Sequence, residues 1–231
     1  MRIEVEGLRA GYGSATIVND VSFEVPSHGA LAVVGRNGMG KTTLLKTFMG
    51  YIRPSGGRVA VGDADVTRWA THRIVRVGVA YAPQEQTLFG DLTVGENLVV
   101  GRGRSCPPEL RTAVLEYFPV LAERLRQRAG TLSGGEQKML TLAKALVADP
   151  AVIVLDEISD GMQPAVISAV TDALRWLRQD RRCTILMVEQ NLDLSLAVAD
   201  RVAVMKLGRI VYETTADAPG ARDELVTQLA P

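Results

Sequence analysis

Gly35-Arg36-Asn37-Gly38-Met39-Gly40-Lys41-Thr42 places two glycines, a lysine and a threonine at the spacing G-x-x-x-x-G-K-[ST], that of a loop that wraps phosphate groups. It follows the apolar run Ala30-Leu31-Ala32-Val33-Val34 and opens a stretch of helical periodicity. There Leu44, Leu45, Phe48 and Met49 share a face and Gly50 ends the helix. Such a loop needs this strand–loop–helix setting. Glycines (Gly35, Gly38, Gly40) let backbone N–H groups turn inward around phosphate oxygens, where side chains would obstruct them. The following helix adds the positive end of its dipole, Lys41 a mobile charge, and the Thr42 hydroxyl a ligand for Mg²⁺. Asn37 and Thr43 join the candidate nucleotide contacts. The competing reading is a glycine-rich turn between strand and helix. Against it, the chain has only five lysines to 21 arginines, so a lysine here is not merely its usual basic residue.

A chain of 231 residues suffices for one large α/β domain, or a core domain with a subdomain. Its 47% hydrophobic and 23% charged content is that of a globular protein. With zero net charge there is no bulk field to draw in nucleic acid or an anionic membrane. The arginine clusters Arg124, Arg126, Arg128 and Arg181, Arg182 read as solvated helix faces or loop tips. Cys106 and Cys183 are too few for a disulfide framework, and Cys183 opens an apolar run as a small core residue. The N-terminus alternates like a strand and has no signal-peptide core. No apolar run approaches the roughly 18 residues of a membrane span. Any membrane connection must then come through a partner.

Strands are expected at Ile3–Leu8, Val21–Val25, Leu31–Val34, Val59–Val61 and Val77–Ala82, the last stopped by Pro83. From Thr93 to Ala148 the pattern turns helical, with breaks at Pro107-Pro108 and Gly130. Strands return at Ala151–Leu155 and Thr184–Val188, and in a hairpin around Leu207-Gly208. Pro164 starts a helix whose Val166, Ile167, Val170, Leu174 and Leu177 share a face. The expected architecture is a strand-rich core interrupted by a helical insertion, without internal repeats.

Val152-Ile153-Val154-Leu155 has the continuous apolar character of a central parallel strand and ends in Asp156-Glu157. Carboxylates at the carboxyl end of such a strand sit where α/β sheets bind ligands. Asp156 is placed to hold Mg²⁺, directly or through water, and Glu157 to polarise a water facing a terminal phosphate. The alternative is a pair of ordinary loop acids. Leu132-Ser133-Gly134-Gly135-Glu136-Gln137 admits two readings. Ser133 and Glu136 make a capping box ahead of an amphipathic helix. Capping does not require Gly134 and Gly135, however, and two glycines beside a serine hydroxyl offer a second anion site.

The order of these motifs (Gly35–Thr42, Gln84 after Tyr81-Ala82-Pro83, Leu132–Gln137, Val152–Glu157) resembles that of ABC-type ATPases, over essentially the whole chain. The resemblance implies an α/β fold: a P-loop NTPase, RecA-like core with an N-terminal antiparallel β subdomain and an inserted α-helical subdomain. It would form one domain over 1–231, with 1–92 and 149–231 as nucleotide-binding core and 93–148 as helical subdomain. It also implies ATP and Mg²⁺ as cofactors, and a head-to-tail dimer in which each ATP lies between one chain's phosphate loop and the partner's Ser133-Gly134-Gly135. By the same resemblance Tyr12 stacks on adenine, with a packing tyrosine as the alternative. Gln84 touches Mg²⁺ or the attacking water and senses the membrane partner. Glu157, Lys41, Gln84 and Gln190 form the catalytic set, and Thr42, Gln84 and Asp156 the metal ligands.

Three positions depart from the family pattern. Gln190 stands at the switch histidine's place, and an amide can donate a hydrogen bond but not shuttle a proton. The two histidines, His28 and His72, lie elsewhere and read as surface residues. Ile158 replaces a common proline, and Ser159-Asp160-Gly161-Met162-Gln163-Pro164 lacks the usual fourth-place aspartate, which puts that segment's contact across the dimer in doubt. These departures, with Phe89–Leu98, resemble the smaller ATPase of branched-chain amino acid importers and their urea and short-amide relatives. The short stretch after Glu213 leaves little room for a regulatory domain. The expected function is thus the ATP-hydrolysing subunit of an ABC importer on the cytoplasmic face of the cell membrane. Its expected partners are integral-membrane permeases, a second and different ABC ATPase (a homodimer being the alternative), indirectly an extracytoplasmic solute-binding protein, and no nucleic acid. The rival readings are a soluble non-transport ABC ATPase and an ATP-gated module without turnover.

Overall fold

The computed structural model describes residues 1–85, 88–100 and 107–230; Cys106 lies outside them. Two sheets carry the fold. The first is antiparallel, in the order β2-β1-β4-β5, from β1 (Ile3–Tyr12), β2 (Ala15–Val25), β4 (Gly56–Val61) and the two-residue β5 (Ala64–Asp65). The second has six strands in the order β10-β9-β3-β8-β7-β6. Here β3 (Ala30–Val34), β6 (Val79–Ala82), β7 (Val152–Asp156), β8 (Thr184–Glu189) and β9 (Arg201–Lys206) run parallel, and β10 (Arg209–Thr215) closes one edge antiparallel. The strand-rich core and the apolar central strand read from the sequence are both present, in an α/β P-loop NTPase fold.

Every residue of β3, β7 and β8 is buried, as strands covered on both faces must be. Alternation then divides the core. Val152 and Val154 join Leu31, Val33, Leu186 and Val188 on the face that meets the antiparallel sheet. Ile153 and Leu155 join Ala32, Val34, Ile185 and Met187 on the opposite face. Helix α1 (Lys41–Phe48) is clamped between the two sheets by Leu44, Leu45 and Phe48, each burial contributing about 1.5–3 kcal/mol. Gly50 (φ 75°) ends that turn in the left-handed region, and its N–H donates to Thr47 O. The opposite face is covered by α6 (Gly134–Leu146), α7 (Pro164–Gln179) and α8 (Leu192–Val198).

Between β6 and β7 the described chain is helical: α3 (Val94–Val99), α4 (Pro108–Tyr117), α5 (Pro119–Glu123), a 3₁₀ turn at Ala129–Thr131, then α6. Both α3 and α6 open on capping boxes, Thr93 with Glu96 and Ser133 with Glu136. The breaks fall at Pro108 and beside Gly130, as the sequence suggests. Pro164 opens α7, whose buried face includes Val170, Leu174 and Leu177, with Val166 and Ile167 packed at its edge. β9 and β10 meet at Leu207-Gly208, where both residues have positive φ (44° and 78°), a two-residue hairpin turn. Helices α2 (Thr71–Arg76), α8 and α9 (Ala221–Leu229) and strand β5 are additions to what the sequence suggests. His28 and His72 are exposed, and Cys183 is fully buried with its thiol pushed up to about 12 by burial. Arg124 pairs with Glu136 and Arg181 with Asp149. Among the described residues no helix is long and apolar enough to cross a membrane.

Candidate functional site

The parallel sheet delivers the candidate residues to its carboxyl edge. β3 runs into the glycine loop, β6 ends one residue before Pro83-Gln84, β7 ends on Asp156, and β8 ends one residue before Gln190. Because β6, β7, β8 and β3 are neighbours, four loops from distant parts of the chain converge over the N-terminus of α1.

Helix α1 begins without a side-chain cap and without an acid in its first turn. Its opening N–H groups are therefore left to whatever anion the loop receives. Gly40 sits at φ 100°, and a Cβ there would come within 3.2 Å of Ile17 O, so glycine is needed both for the turn and for the approach of the β2 backbone. Asn37 and Gly38 are exposed at the loop's crest, while Gly35, Gly40 and Thr43 are buried.

Lys41 curls under the loop and is almost wholly buried. Its Nζ donates to Gly35 O (2.6 Å) and Arg36 O (3.0 Å) and pairs with Glu157 Oε1 at 2.9 Å. The other Glu157 oxygen accepts from Gln84 Nε2 (3.1 Å) and Gln190 Nε2 (3.0 Å). Gln190 Nε2 also donates to Asn37 Oδ1 at 2.7 Å, closing the site over the loop. Lys41, Gln84, Glu157 and Gln190 are thus a single cluster. Glu157 itself has φ 47°, a left-handed conformation unusual for a side chain of its size.

Asp156 is fully buried beside this cluster. Thr42 Oγ1 donates to its Oδ1 and Tyr81 Oη to its Oδ2, each at 3.0 Å. Burial pushes the Asp156 carboxyl above the usual range, and the hydrogen bonds from Tyr81 and Thr42 oppose that rise. Burial raises the Tyr81 phenol strongly, with the Asp156 charge adding to it, so Tyr81 stays a donor. A hydroxyl and a carboxylate oxygen 3.0 Å apart suit a hard divalent cation whose remaining ligands come from substrate and water. Gln84, the third candidate ligand, directs its amide nitrogen to Glu157.

Tyr12 and the Ser133 segment stand apart. Tyr12 ends β1, about half exposed, paired with Ala15 across the turn. Ser133 and Gly134 are exposed, and a Cβ on Gly134 or Gly135 would meet nothing within 4 Å. The capping box is real: Glu136 N donates to Ser133 Oγ (3.4 Å) and Ser133 N to Glu136 Oε2 (2.8 Å). Among the described residues no hydrogen bond or ion pair joins this segment to the chain's own phosphate loop.

Tyr81 did not stand out in the sequence. The parallel pairing of Tyr81 with Val154 and Ala82 with Leu155 brings it beside Asp156, and strand adjacency is not readable from the residues alone. Glu189, buried next to Gln190, was missed for the same reason.

The ABC transporter family model matches residues 18–160. The probable branched-chain amino acid transport ATP-binding protein LivF of Archaeoglobus fulgidus is 37% identical over 213 residues, 91% of this chain and 90% of that protein. The high-affinity branched-chain amino acid transport ATP-binding protein BraG of Pseudomonas aeruginosa is 37% identical over 219 residues, 92% and 94% of the two chains. Among solved structures, MJ1267, an ATP-binding cassette of an ABC transporter, superposes with TM-score 0.80 at 26% identity, covering 92% of this chain and 90% of that one. An ATP-binding subunit of an ABC transporter, 23% identical, shares the fold with TM-score 0.86 over 99% of both chains. Sequence and fold agree: this chain belongs to the ABC transporter family, as one of its ATP-binding, ATP-hydrolysing cassettes.

Proposed function

We propose that this cassette powers an importer of branched-chain amino acids or of a related small polar solute such as urea or a short amide. The observation behind the catalytic reading is the position of Glu157, with one carboxylate oxygen on Lys41 and the other on the amides of Gln84 and Gln190. Lys41 and the α1 amides bind the terminal phosphates, and Gln84 and Gln190 orient the attacking water, whose proton Glu157 accepts. Gln190 donates a hydrogen bond and moves no proton. Thr42 and Asp156 hold Mg²⁺, which when bound neutralises charge on the phosphates, and Tyr81 fixes the Asp156 carboxylate. Asn37, Gly35, Gly38, Gly40 and Thr43 line the phosphate loop, and Tyr12 stacks on adenine through its exposed ring.

The exposed Ser133-Gly134 end of the segment, with Gly135, completes the site of a second cassette rather than of this one. That second ATPase is a different, related chain, and permeases hold both on the inner face of the membrane. Within the single domain 1–231, the core of 1–92 with 149–231 carries the nucleotide, and the helical subdomain 93–148 presents the Ser133-Gly134-Gly135 segment. The cargo is tested by deleting the gene and following uptake of labelled leucine and labelled urea. Loss of leucine uptake is expected, and loss of urea uptake alone moves the cargo to the amide class. Parent rates for both refute the importer reading. The composition of the purified transporter, resolved by mass, tests the partner: two copies of this chain and no second ATPase overturn the heterodimer.

A further inference from the structure

Glu189 is a charged group that the proposed chemistry leaves unused. It ends β8, is 1% exposed, and no cation contacts it among the described residues. Its carboxylate is instead gathered in by hydrogen-bond donors from two segments. From the loop after β7, Ser159 Oγ donates to Oε2 at 2.7 Å and Ser159 N to Oε1 at 3.1 Å. From the loop after β8 come the N–H of Gln190, at 3.2 Å from Oε2, and the N–H of Asn191. Burial pushes the Glu189 carboxyl upward, and these donors pull against that rise.

Burying a carboxylate without a cation is unfavourable, and a smaller neutral side chain would avoid that cost. What a carboxylate alone offers is acceptor capacity on both oxygens at once; an amide would turn an NH₂ against one of the incoming donors. The bonds also close a circuit. Ser159 lies two residues after Glu157, whose own N–H is tied to Val188 O at 2.9 Å. Gln190 follows Glu189 directly, and its side chain returns to Glu157 Oε2 at 3.0 Å. Left-handed Glu157 is thereby held from both loops. Beyond Ser159, Asp160 and Gly161 are exposed, and Asp160 pairs with Lys138 at 3.5 Å.

We infer that Glu189 is a positioning residue: by holding Ser159 and the Gln190–Asn191 backbone on one carboxylate, it sets Gln190 against Glu157 and passes displacement of the Ser159–Gln163 segment to the Gln190 side chain. The inference rests on the proposed role of Glu157 as proton acceptor. The test uses the purified full chain, with phosphate release measured beside ATP affinity by calorimetry in Mg²⁺, for E157Q, E189Q, Q190A, S159A and the E189Q/Q190A double variant. Glu189→Gln should lower kcat roughly tenfold while the ATP dissociation constant stays within about twofold of the parent's. The double variant should be no slower than Q190A alone within about twofold, since both act on one contact. Parent-like kcat in E189Q with E157Q inactive overturns the inference alone, as do losses that multiply in the double variant. Parent-like turnover in E157Q overturns the role of Glu157 instead. Should E189Q fail to fold, S159A and Q190A complete the same cycle: a loss in S159A that disappears in the Q190A background supports the coupling, and one that multiplies, or no loss at all, refutes it.

Discussion

Glu157→Gln separates the electrostatic role of this residue from its chemical one. Glu157 and Lys41 form an ion pair at 2.9 Å with side chains 6% and 2% exposed. Removing one member of a buried pair costs about 3–5 kcal/mol. Lys41 keeps two backbone carbonyls, which puts the loss near the lower end, about 3 kcal/mol. In a chain of this size about 1 kcal/mol corresponds to roughly 2–4 °C, so the apo midpoint should fall by about 6–12 °C. Binding ATP has the opposite sign. The parent's Lys41 must leave a carboxylate to meet the phosphates, whereas the variant's leaves an amide oxygen. If about half of the 3 kcal/mol is recovered on binding, ATP affinity rises roughly tenfold, and the ATP-bound midpoint recovers part of the apo loss. Turnover should drop by about 10²–10⁴, the contribution of a positioned general base. Thermal unfolding with and without ATP, calorimetry and single-turnover phosphate release measure the three effects separately. An unchanged apo midpoint together with an unchanged ATP dissociation constant refutes the exchange of Lys41 from Glu157 to phosphate. Single-turnover hydrolysis at the parent rate refutes the proton-acceptor role.

Lys41→Ala removes the one charged donor beneath the loop and should weaken ATP binding about tenfold to a hundredfold, from the roughly 1.5–3 kcal/mol of a charged hydrogen bond; calorimetry in Mg²⁺ giving the parent's constant would overturn the phosphate-loop assignment. Tyr81→Phe deletes the donor to Asp156 Oδ2 and should raise the Mg²⁺ concentration needed for half-maximal ATP binding about tenfold or more. An unaltered Mg²⁺ titration removes Tyr81 from the support of Asp156. Gln190→Ala should slow hydrolysis and Gln190→His should be tolerated, because either the amide or the imidazole can donate to phosphate or water. Steady-state rates untouched by both substitutions would place Gln190 outside the reaction.

What the sequence revealed and what it hid divide along a physical line. The glycine loop, the Val152–Glu157 strand end and the Ser133–Glu136 capping box are local: spacing, a continuous apolar run and S-x-x-E are complete within a few residues. Two of the helices that the residues alone do not reveal are short and bury little. α2 buries only Ile74, and α9 buries only Ala221 and Leu225, so neither has a periodic stripe to detect. β2 starts six residues earlier than its alternation suggests, because its pairing with β1 slips register between Val5 and Leu8, between Leu8 and Arg9, and again between Ala10 and Gly11, and each slip breaks the period of two. The support given to Asp156 by Tyr81, and to Gln190 by Glu189, depends on which strands lie side by side. No single strand carries that information.

The same adjacency ties the groups of the site to one another. Lys41 is satisfied by Glu157 and two carbonyls, Thr42 by Asp156, and Gln84 and Gln190 by Glu157. Each group assigned to the nucleotide is therefore occupied by another member of the site, and the contacts must be exchanged rather than created. Phosphate that draws Lys41 away frees the Glu157 carboxylate of this contact, and it does so only where a terminal phosphate is present to be attacked.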